Sequence, residues 1–245
     1  MQHYFLNQEI KIDEIISIDS KDIKNHWLKV LRAEEGDQAE FVSNNQDVYV
    51  GELVSTENAE IKIIKKIHNK VELPVEVSIA CGIPKNGKAE LIVQKATELG
   101  AKEIIFVDTD WSIGKWKQKA DKKIERLQKI AQGAAEQSHR NIIPKVLYYS
   151  SINYLIDYPA DIKLIAYEES AKENETSNLV KNLNQLHNKN KILGLFGPEG
   201  GISPNEIKKL SENDFQLAGL GPRILRAETA PLYFLSAVSV IKELN

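Results

Sequence analysis

Cysteine is nearly absent: Cys81 is the one thiol in 245 residues. That excludes a disulfide framework and a multi-cysteine zinc site, and it suits a reducing, cytoplasmic setting. Glycine, at 13, and proline, at 8, are too few for a fibrous or loop-dominated chain. No stretch approaches the ~20 apolar residues that a membrane span needs. Met1-Gln2-His3-Tyr4 lacks a basic start followed by an apolar run, so no secretion signal is expected. The five histidines, His3, His26, His68, His139 and His187, show no metal-ligand spacing, and no metal is expected. Arginine is rare as well. Only Arg32, Arg126, Arg140, Arg223 and Arg226 stand among 32 basic residues. A chain that uses lysine almost everywhere keeps arginine where a planar, permanently charged fork matters.

What is present is ordinary in amount: 42% hydrophobic and 27% charged residues, with a net charge of -3. This is a globular composition, long enough for two domains. The charge is unevenly spread. Residues 1–70 hold 9 Lys/Arg against 13 Asp/Glu, whereas residues 85–145 hold 13 against 8. Most of the second excess lies in Lys115, Lys117, Lys119, Lys122, Lys123, Arg126 and Lys129. Such a run is a solvated helix face or a surface for phosphates.

Residues 1–70 read as a small β-rich domain. Ala39–Val42, Val48–Val54 and Glu60–Ile67 are short alternating runs, and Asn44-Asn45-Gln46-Asp47 is a hairpin turn. Asp22–Leu31 reads as a helix. Several short strands with tight turns suggest a small barrel. From residue 74 to 245 strand and helix alternate. Strands are expected at 75–80, 103–107, 163–167, 191–196 and 215–218, and helices at 88–99, 119–137, 176–186, 203–211 and 228–244. That is an α/β domain with a mainly parallel sheet. Ser203, Pro204 and Glu206 form a helix start of the capping-box kind.

In such a sheet ligands bind beyond the carboxyl ends of the strands. Two glycine-bearing loops stand there. Gly197-Pro198-Glu199-Gly200-Gly201 follows strand 191–196, and Gly219-Leu220-Gly221-Pro222-Arg223-Ile224-Leu225-Arg226-Ala227-Glu228-Thr229-Ala230 follows strand 215–218. The glycines let backbone approach a ligand. A sharp turn needs no carboxylate, so Glu199 points beyond turn chemistry. Glu228 and Thr229 favour a helix N-terminus, but Arg226 does not, since a cation there is electrostatically disfavoured. Arg226 therefore suggests an anionic partner. The two loops are expected side by side. Neither has the spacing of a dinucleotide loop or a P-loop. Cys81 reads as a small buried residue. Trp111 and Trp116, interleaved with lysines, are core residues or stacking surfaces for bases.

These two loops resemble those of the RsmE-type 16S ribosomal RNA uracil-N3 methyltransferases of the SPOUT superfamily. The likeness extends through His26…Val30-Leu31-Arg32…Gly36-Asp37, Lys95-Ala96-Thr97-Glu98-Leu99-Gly100 and Ala135-Glu136-Gln137-Ser138-His139-Arg140…Pro144, and so covers nearly the whole chain. The resemblance implies an N-terminal PUA-like β-barrel and a C-terminal parallel sheet with a trefoil knot. It implies S-adenosylmethionine as cofactor, held by Gly197, Pro198, Glu199, Gly200, Gly201, Leu220, Gly221, Ile224 and Leu225. It implies a homodimer, with helix 228–244 as a candidate contact, acting on 16S ribosomal RNA or the small ribosomal subunit in the cytoplasm. Two features depart from the family. His3-Tyr4-Phe5 stands where an arginine is frequent, and Asp108-Thr109-Asp110-Trp111-Ser112 lacks the usual Arg-Ser; the Lys115–Lys123 run can substitute.

The implied reaction methylates N3 of one uridine. A neutral uracil N3 carries a proton and is a poor nucleophile, so the site must remove that proton or stabilise the anion. Arg226 is expected to hold the anion, and Glu228 or Glu199 to accept the proton or order the loop. RNA contacts are expected from Arg32, Lys115, Lys117, Lys119, Arg140 and Arg223. The alternatives are methylation of another position, such as a ribose 2′-hydroxyl, and an RNA-binding ribosome assembly factor without catalysis.

Overall fold

The computed structural model describes residues 1–85, 87–167 and 177–244. The chain divides into two compact units, Met1–Glu72 with Ala135–Ile142, and Leu73–Ala134 with Ile143–Asn245.

The first unit holds β1 (Gln2–Phe5), β2 (Ile15–Ser17), β3 (Gln38–Val42), β4 (Val48–Ser55) and β5 (Glu60–Ile67) in one sheet ordered β1-β3-β4-β5-β2. β1 runs parallel to β3, and the other neighbours are antiparallel. Alternation selects the inner face: Phe41, Leu53, Ile61 and Ile63 are fully buried, while Lys62 between the last two and Ile64 after them are exposed. The expected helix over 22–31 is a short α-turn, α1 (Lys21–Ile23), that widens into π-type turns over Lys24–Val30. Leu31 N–H reaches back five residues to the His26 carbonyl at 2.9 Å. The segment buries Ile23 and Trp27, and the Trp27 ring meets Phe41 edge-on at 5.7 Å.

The second unit is a six-stranded, wholly parallel sheet. It contains β6 (Glu76–Gly82), β7 (Glu103–Val107), β8 (Lys145–Tyr149), β9 (Ile162–Ala166), β10 (Lys191–Phe196) and β11 (Phe215–Ala218), ordered β11-β9-β10-β6-β7-β8. Parallel strands covered on both faces read as continuous apolar runs, and Ile104, Ile105, Phe106 and Val107 are all fully buried. The helices are α2 (Lys88–Glu98), α3 (Ala120–Gln137), α4 (Asn153–Ile156), α5 (Ser177–Gln185), α6 (Pro204–Ser211) and α7 (Thr229–Glu243). The helix expected over 176–186 begins at a position outside the described residues. β8 and α4 were not expected from the sequence.

The glycine loops do not follow neighbouring strands. β9 lies between β10 and β11, so the expected side-by-side arrangement is replaced by two loops flanking the end of β9. Chain order cannot reveal this, because parallel pairing is set by crossovers rather than by succession.

Candidate active site

A cleft of about 570 Å³ opens at the carboxyl ends of β9 and β10. That volume falls within the usual range for small-molecule sites. Its walls are Gly197–Ile202 from the first glycine loop, Ile224–Ala227 from the second, and Ala166 and Tyr167 from the end of β9. Lys88 and Trp111 complete the rim.

The first loop is fixed from below. A Cβ on Gly82, the last residue of β6, would stand 2.4 Å from Pro198 Cδ and 2.7 Å from Pro198 N. Only glycine lets the loop lie this close to the strand. Gly201 turns the chain at φ +81°, and its N–H donates to the Pro198 carbonyl at 2.9 Å. The loop then enters α6 through the expected capping box: Ser203 accepts from Glu206 N–H at 3.2 Å, and Glu206 accepts from Ser203 N–H at 3.0 Å. The same two residues hold the turn after β7. Ser203 Oγ donates to Asp110 at 2.6 Å, and Asp110 N–H donates to Glu206 at 3.0 Å. This anchors Trp111 over the glycine pair, where a Cβ on Gly200 would meet the Trp111 carbonyl at 3.1 Å. The indole remains 48% exposed.

Lys88, the first residue of α2, joins the two expected glutamates. Its Nζ lies 2.8 Å from Glu199 Oε1 and 2.9 Å from Glu228 Oε2. Glu199 also accepts from Lys85 N–H, at 3.2 Å and 3.3 Å to its two oxygens. Hydrogen bonds to Glu199 and then Glu228 raise the Lys88 pKa. For Glu199, burial opposes ionisation, but Lys88 and backbone N–H groups outweigh it and hold the carboxyl below its usual range. Lys88 likewise lowers Glu228, against burial, with Arg226 contributing. The cluster therefore carries one positive and two negative charges at neutral pH. Glu228 occupies the N-cap of α7 but makes no capping hydrogen bond; its carboxylate goes to Lys88 instead.

Arg226 and Arg223 are exposed, and among the described residues neither guanidinium has an ion-pair partner. Arg226 lines the cleft, and its carbonyl accepts from Thr229 N–H and Ala230 N–H at 2.8 Å and 3.0 Å, which fixes it to the first turn of α7.

The structure thus brings together Gly197, Pro198, Glu199, Gly200, Gly201, Ile224, Leu225, Arg226 and, through Lys88, Glu228. Leu220 and Gly221 stand outside the lining. Leu220 packs on the apolar core, and Gly221 turns the chain at φ +95°. Lys115, Lys117 and Lys119 are exposed in the second unit, and Arg32 is exposed in the first. Arg140 corrects the expectation of an RNA contact. It is 3% exposed, and its guanidinium donates to Glu72 Oε2 from Nε at 3.2 Å and from Nη2 at 2.6 Å. A buried arginine engaged by two nitrogens on one carboxylate is structural. Trp116 is buried against Phe106 and Tyr148, at 4.9 Å and 5.9 Å, which leaves Trp111 as the aromatic residue open to a ligand. Cys81 is buried, and burial pushes its thiol pKa up, so it is inert.

Sequence reasoning missed Lys88. The signal was present: a lysine at the first position of a helix opposes the helix dipole, the same argument that singled out Arg226.

Comparison with known proteins shows the family. Residues 71–239 match the RNA methyltransferase domain family. Over 254 aligned residues the chain is 41% identical to "Ribosomal RNA small subunit methyltransferase E" of Bacillus subtilis, covering 100% of this chain and 98% of the relative. A protein of the same description from Synechocystis is 31% identical, over 89% of this chain and 71% of its own. The structure of ribosomal RNA small subunit methyltransferase E from Neisseria gonorrhoeae bound to S-adenosyl methionine superposes with a TM-score of 0.86 at 27% identity, covering 98% of each chain. A putative methyltransferase from Legionella pneumophila, in complex with the same cofactor, gives 0.83 at 26% identity, covering 97% of this chain and 96% of that one.

Proposed function

This chain belongs to the ribosomal RNA small subunit methyltransferase E family, and on that footing we propose that it transfers a methyl group from S-adenosylmethionine to N3 of one uridine in 16S ribosomal RNA. The observation that carries the proposal is the pairing of two opposite electrostatic seats in one cleft. The Lys88–Glu199–Glu228 cluster has an excess negative charge, whereas Arg226 is a cation with no ion-pair partner among the described residues.

The lining fits S-adenosylmethionine on chemical grounds. Phe196, Pro198, Ile202 and Leu225 offer apolar surface, and the carboxylate pair offers charge complementary to a cationic ligand. When bound, that cofactor supplies an electrophilic methyl group on a positively charged sulfur. The backbone of Gly197–Gly201 and of Ile224 and Leu225 holds and orients it, and Leu220 and Gly221 contribute by shaping the second loop.

Arg226 donates charge-assisted hydrogen bonds to the uracil oxygen that becomes negative when N3 loses its proton, or to the adjoining phosphate. Glu199 is committed to Lys88 and the Lys85 N–H and orders the loop. Glu228, held by Lys88 with Arg226 contributing, would accept the N3 proton. Lys88 stays protonated and fixes both carboxylates in place. Trp111 gives a flat, half-exposed face beside this centre on which the target base stacks.

RNA contacts are assigned to the exposed Lys115, Lys117, Lys119 and Arg223 of the second unit and, separately, to the exposed Arg32 of the first. We read that unit's five-stranded sheet as a PUA-like barrel and the second unit as the knotted SPOUT fold. Tyr233 and Val240 expose apolar surface on α7, at 41% and 52%, which supports a homodimer through that helix. The setting is cytoplasmic, since small ribosomal subunits are the substrate. Among the described residues no helix is long and apolar enough to cross a membrane.

Calorimetry with S-adenosylmethionine and S-adenosylhomocysteine tests the cofactor step. About one ligand per chain is expected; a folded protein that binds neither, with RNA present or absent, contradicts the proposal.

A further inference from the structure

Three side chains of the first unit converge on one point. His3 Nδ1 lies 2.8 Å from Glu40 Oε2, and His139 Nδ1 lies 2.9 Å from the same oxygen. All three atoms fall within 4.8 Å of one another. The sheet register sets the first pair, since His3 and Glu40 are cross-strand partners in β1 and β3. His3 is 2% exposed, and its other ring nitrogen, Nε2, lies 2.9 Å from the Arg140 carbonyl.

A carbonyl oxygen only accepts, so Nε2 carries an N–H and Nδ1 is the ring atom turned toward Glu40. Two imidazole nitrogens and a carboxylate oxygen thus face one point, which either protons or a metal ion can occupy. An imidazole that donates one N–H to a backbone carbonyl while turning its second nitrogen to a shared point is the arrangement of a metal-bound histidine.

His139 supplies a separate observation. It closes the end of α3 with φ +54°, and the next residue's N–H returns to the Ala135 carbonyl at 2.9 Å. Helix ends of this kind favour glycine, because a Cβ strains the left-handed conformation. The chain places a histidine there, and its ring is turned onto Glu40.

We propose that His3, Glu40 and His139 form a binding site for a divalent transition-metal ion of the zinc class. Two imidazole nitrogens and one carboxylate oxygen are a ligand set for that ion, and the partly exposed His139 leaves a fourth position open to water. The ion takes both Nδ1 lone pairs, each ring binding as its neutral Nε2–H tautomer; any proton displaced from Nδ1 is taken up at a vacant Nε2 or, where Nε2 already carries one, by solvent. The site ties residues 135–142 to β1 and β3 of the same unit, and it is independent of methyl transfer.

The test uses the full chain, freed of metal with a chelator and titrated with Co²⁺ and with Zn²⁺ against a chromophoric competitor. About one ion per chain is expected, with visible Co²⁺ absorption of four-coordinate nitrogen and oxygen ligation. His139→Gly removes a ligand where the backbone favours glycine, so folding is retained. It lowers affinity by at least about tenfold and abolishes the absorption. His187→Ala, an exposed histidine outside the cluster, leaves both unchanged. Wild-type protein that binds no more tightly than His139→Gly overturns the proposal, as does a Zn²⁺-induced rise in melting temperature equal in the two. The cluster then holds only a proton.

Discussion

Gly82 lies directly beneath Pro198: a Cβ at position 82 would come within 2.4 Å of the proline ring and 2.7 Å of its backbone nitrogen. The strand that ends at Gly82 thereby sets the height of the glycine loop that walls the cleft. Neither backbone nor ring can yield without moving the loop. Gly82→Ala is expected to cost about 1–3 kcal/mol of stability, as overpacking does. Its larger effect is on binding of S-adenosylmethionine, which falls much more than the melting temperature does. Calorimetry beside thermal unfolding separates the two; unchanged affinity would detach the loop's position from the cofactor site.

Lys88 bridges Glu199 and Glu228, so Lys88→Met leaves two carboxylates facing each other across the cleft. Turnover is expected to drop at least tenfold, with partial recovery in Lys88→Arg, which keeps the charge. The pH dependence follows from the directions of the shifts. Both carboxyls are held below their ordinary value of 4.5, so their contribution is fully present above that pH and is lost as pH falls through the lowered values. Lys88 is raised above 10.5, so its contribution is present below that pH and lost as pH rises through the raised value. Cofactor affinity is therefore expected to be flat across neutrality in the wild type. Titration calorimetry from pH 5 to pH 9 checks this, and a midpoint near 7 assigned to this cluster would contradict it.

Arg226 reaches the cleft from the loop before α7 and has no ion-pair partner there among the described residues. Replacement by alanine removes one preorganised donor from the developing anion, a loss of roughly 100- to 1,000-fold in turnover. Its exposure predicts little change in melting temperature. Single-turnover rates at saturating RNA and cofactor measure the effect. Unfolding of Arg226→Ala would move the residue from chemistry to structure.

Trp111 differs from the other two tryptophans in being 48% exposed, against 3% for Trp27 and 7% for Trp116. Iodide is therefore expected to quench the emission of Trp111 alone, and bound RNA to shield it. Trp111→Ala should raise the KM for RNA, since one stacked base is worth about 1–3 kcal/mol, while Trp111→Phe retains most of the binding. Shielding by S-adenosylmethionine alone, with no further change on adding RNA, would place the adenine of the cofactor on this ring instead.

Much of the fold and part of the site were legible because they are written in local pattern. Alternation at Ile61 and Ile63 marked β5, and Ser203, Pro204 and Glu206 announced α6 residue by residue. The two glycine loops identified the cleft because each combines backbone freedom with charges that a turn does not need. What stayed hidden depends on pairings distant in sequence. The insertion of β9 between β10 and β11 follows from crossovers that no local pattern records. Arg140 is one of the rare arginines expected to contact RNA, but Glu72, 68 positions away, holds it through the fold. His3 and His139 showed no ligand spacing because Glu40 joins them through the fold rather than through the sequence. The wide turns over Lys24–Val30 share the apolar spacing of an ordinary helix and differ only in hydrogen bonding.

The most direct measurement is transfer of a labelled methyl group from S-adenosylmethionine to small ribosomal subunits lacking the modification, followed by digestion of the RNA and identification of the labelled nucleoside. The account predicts a single 3-methyluridine in 16S ribosomal RNA, lost with Arg226→Ala. Label on a ribose 2′-oxygen, or binding of the subunit with no transfer by a protein that binds the cofactor, would contradict it.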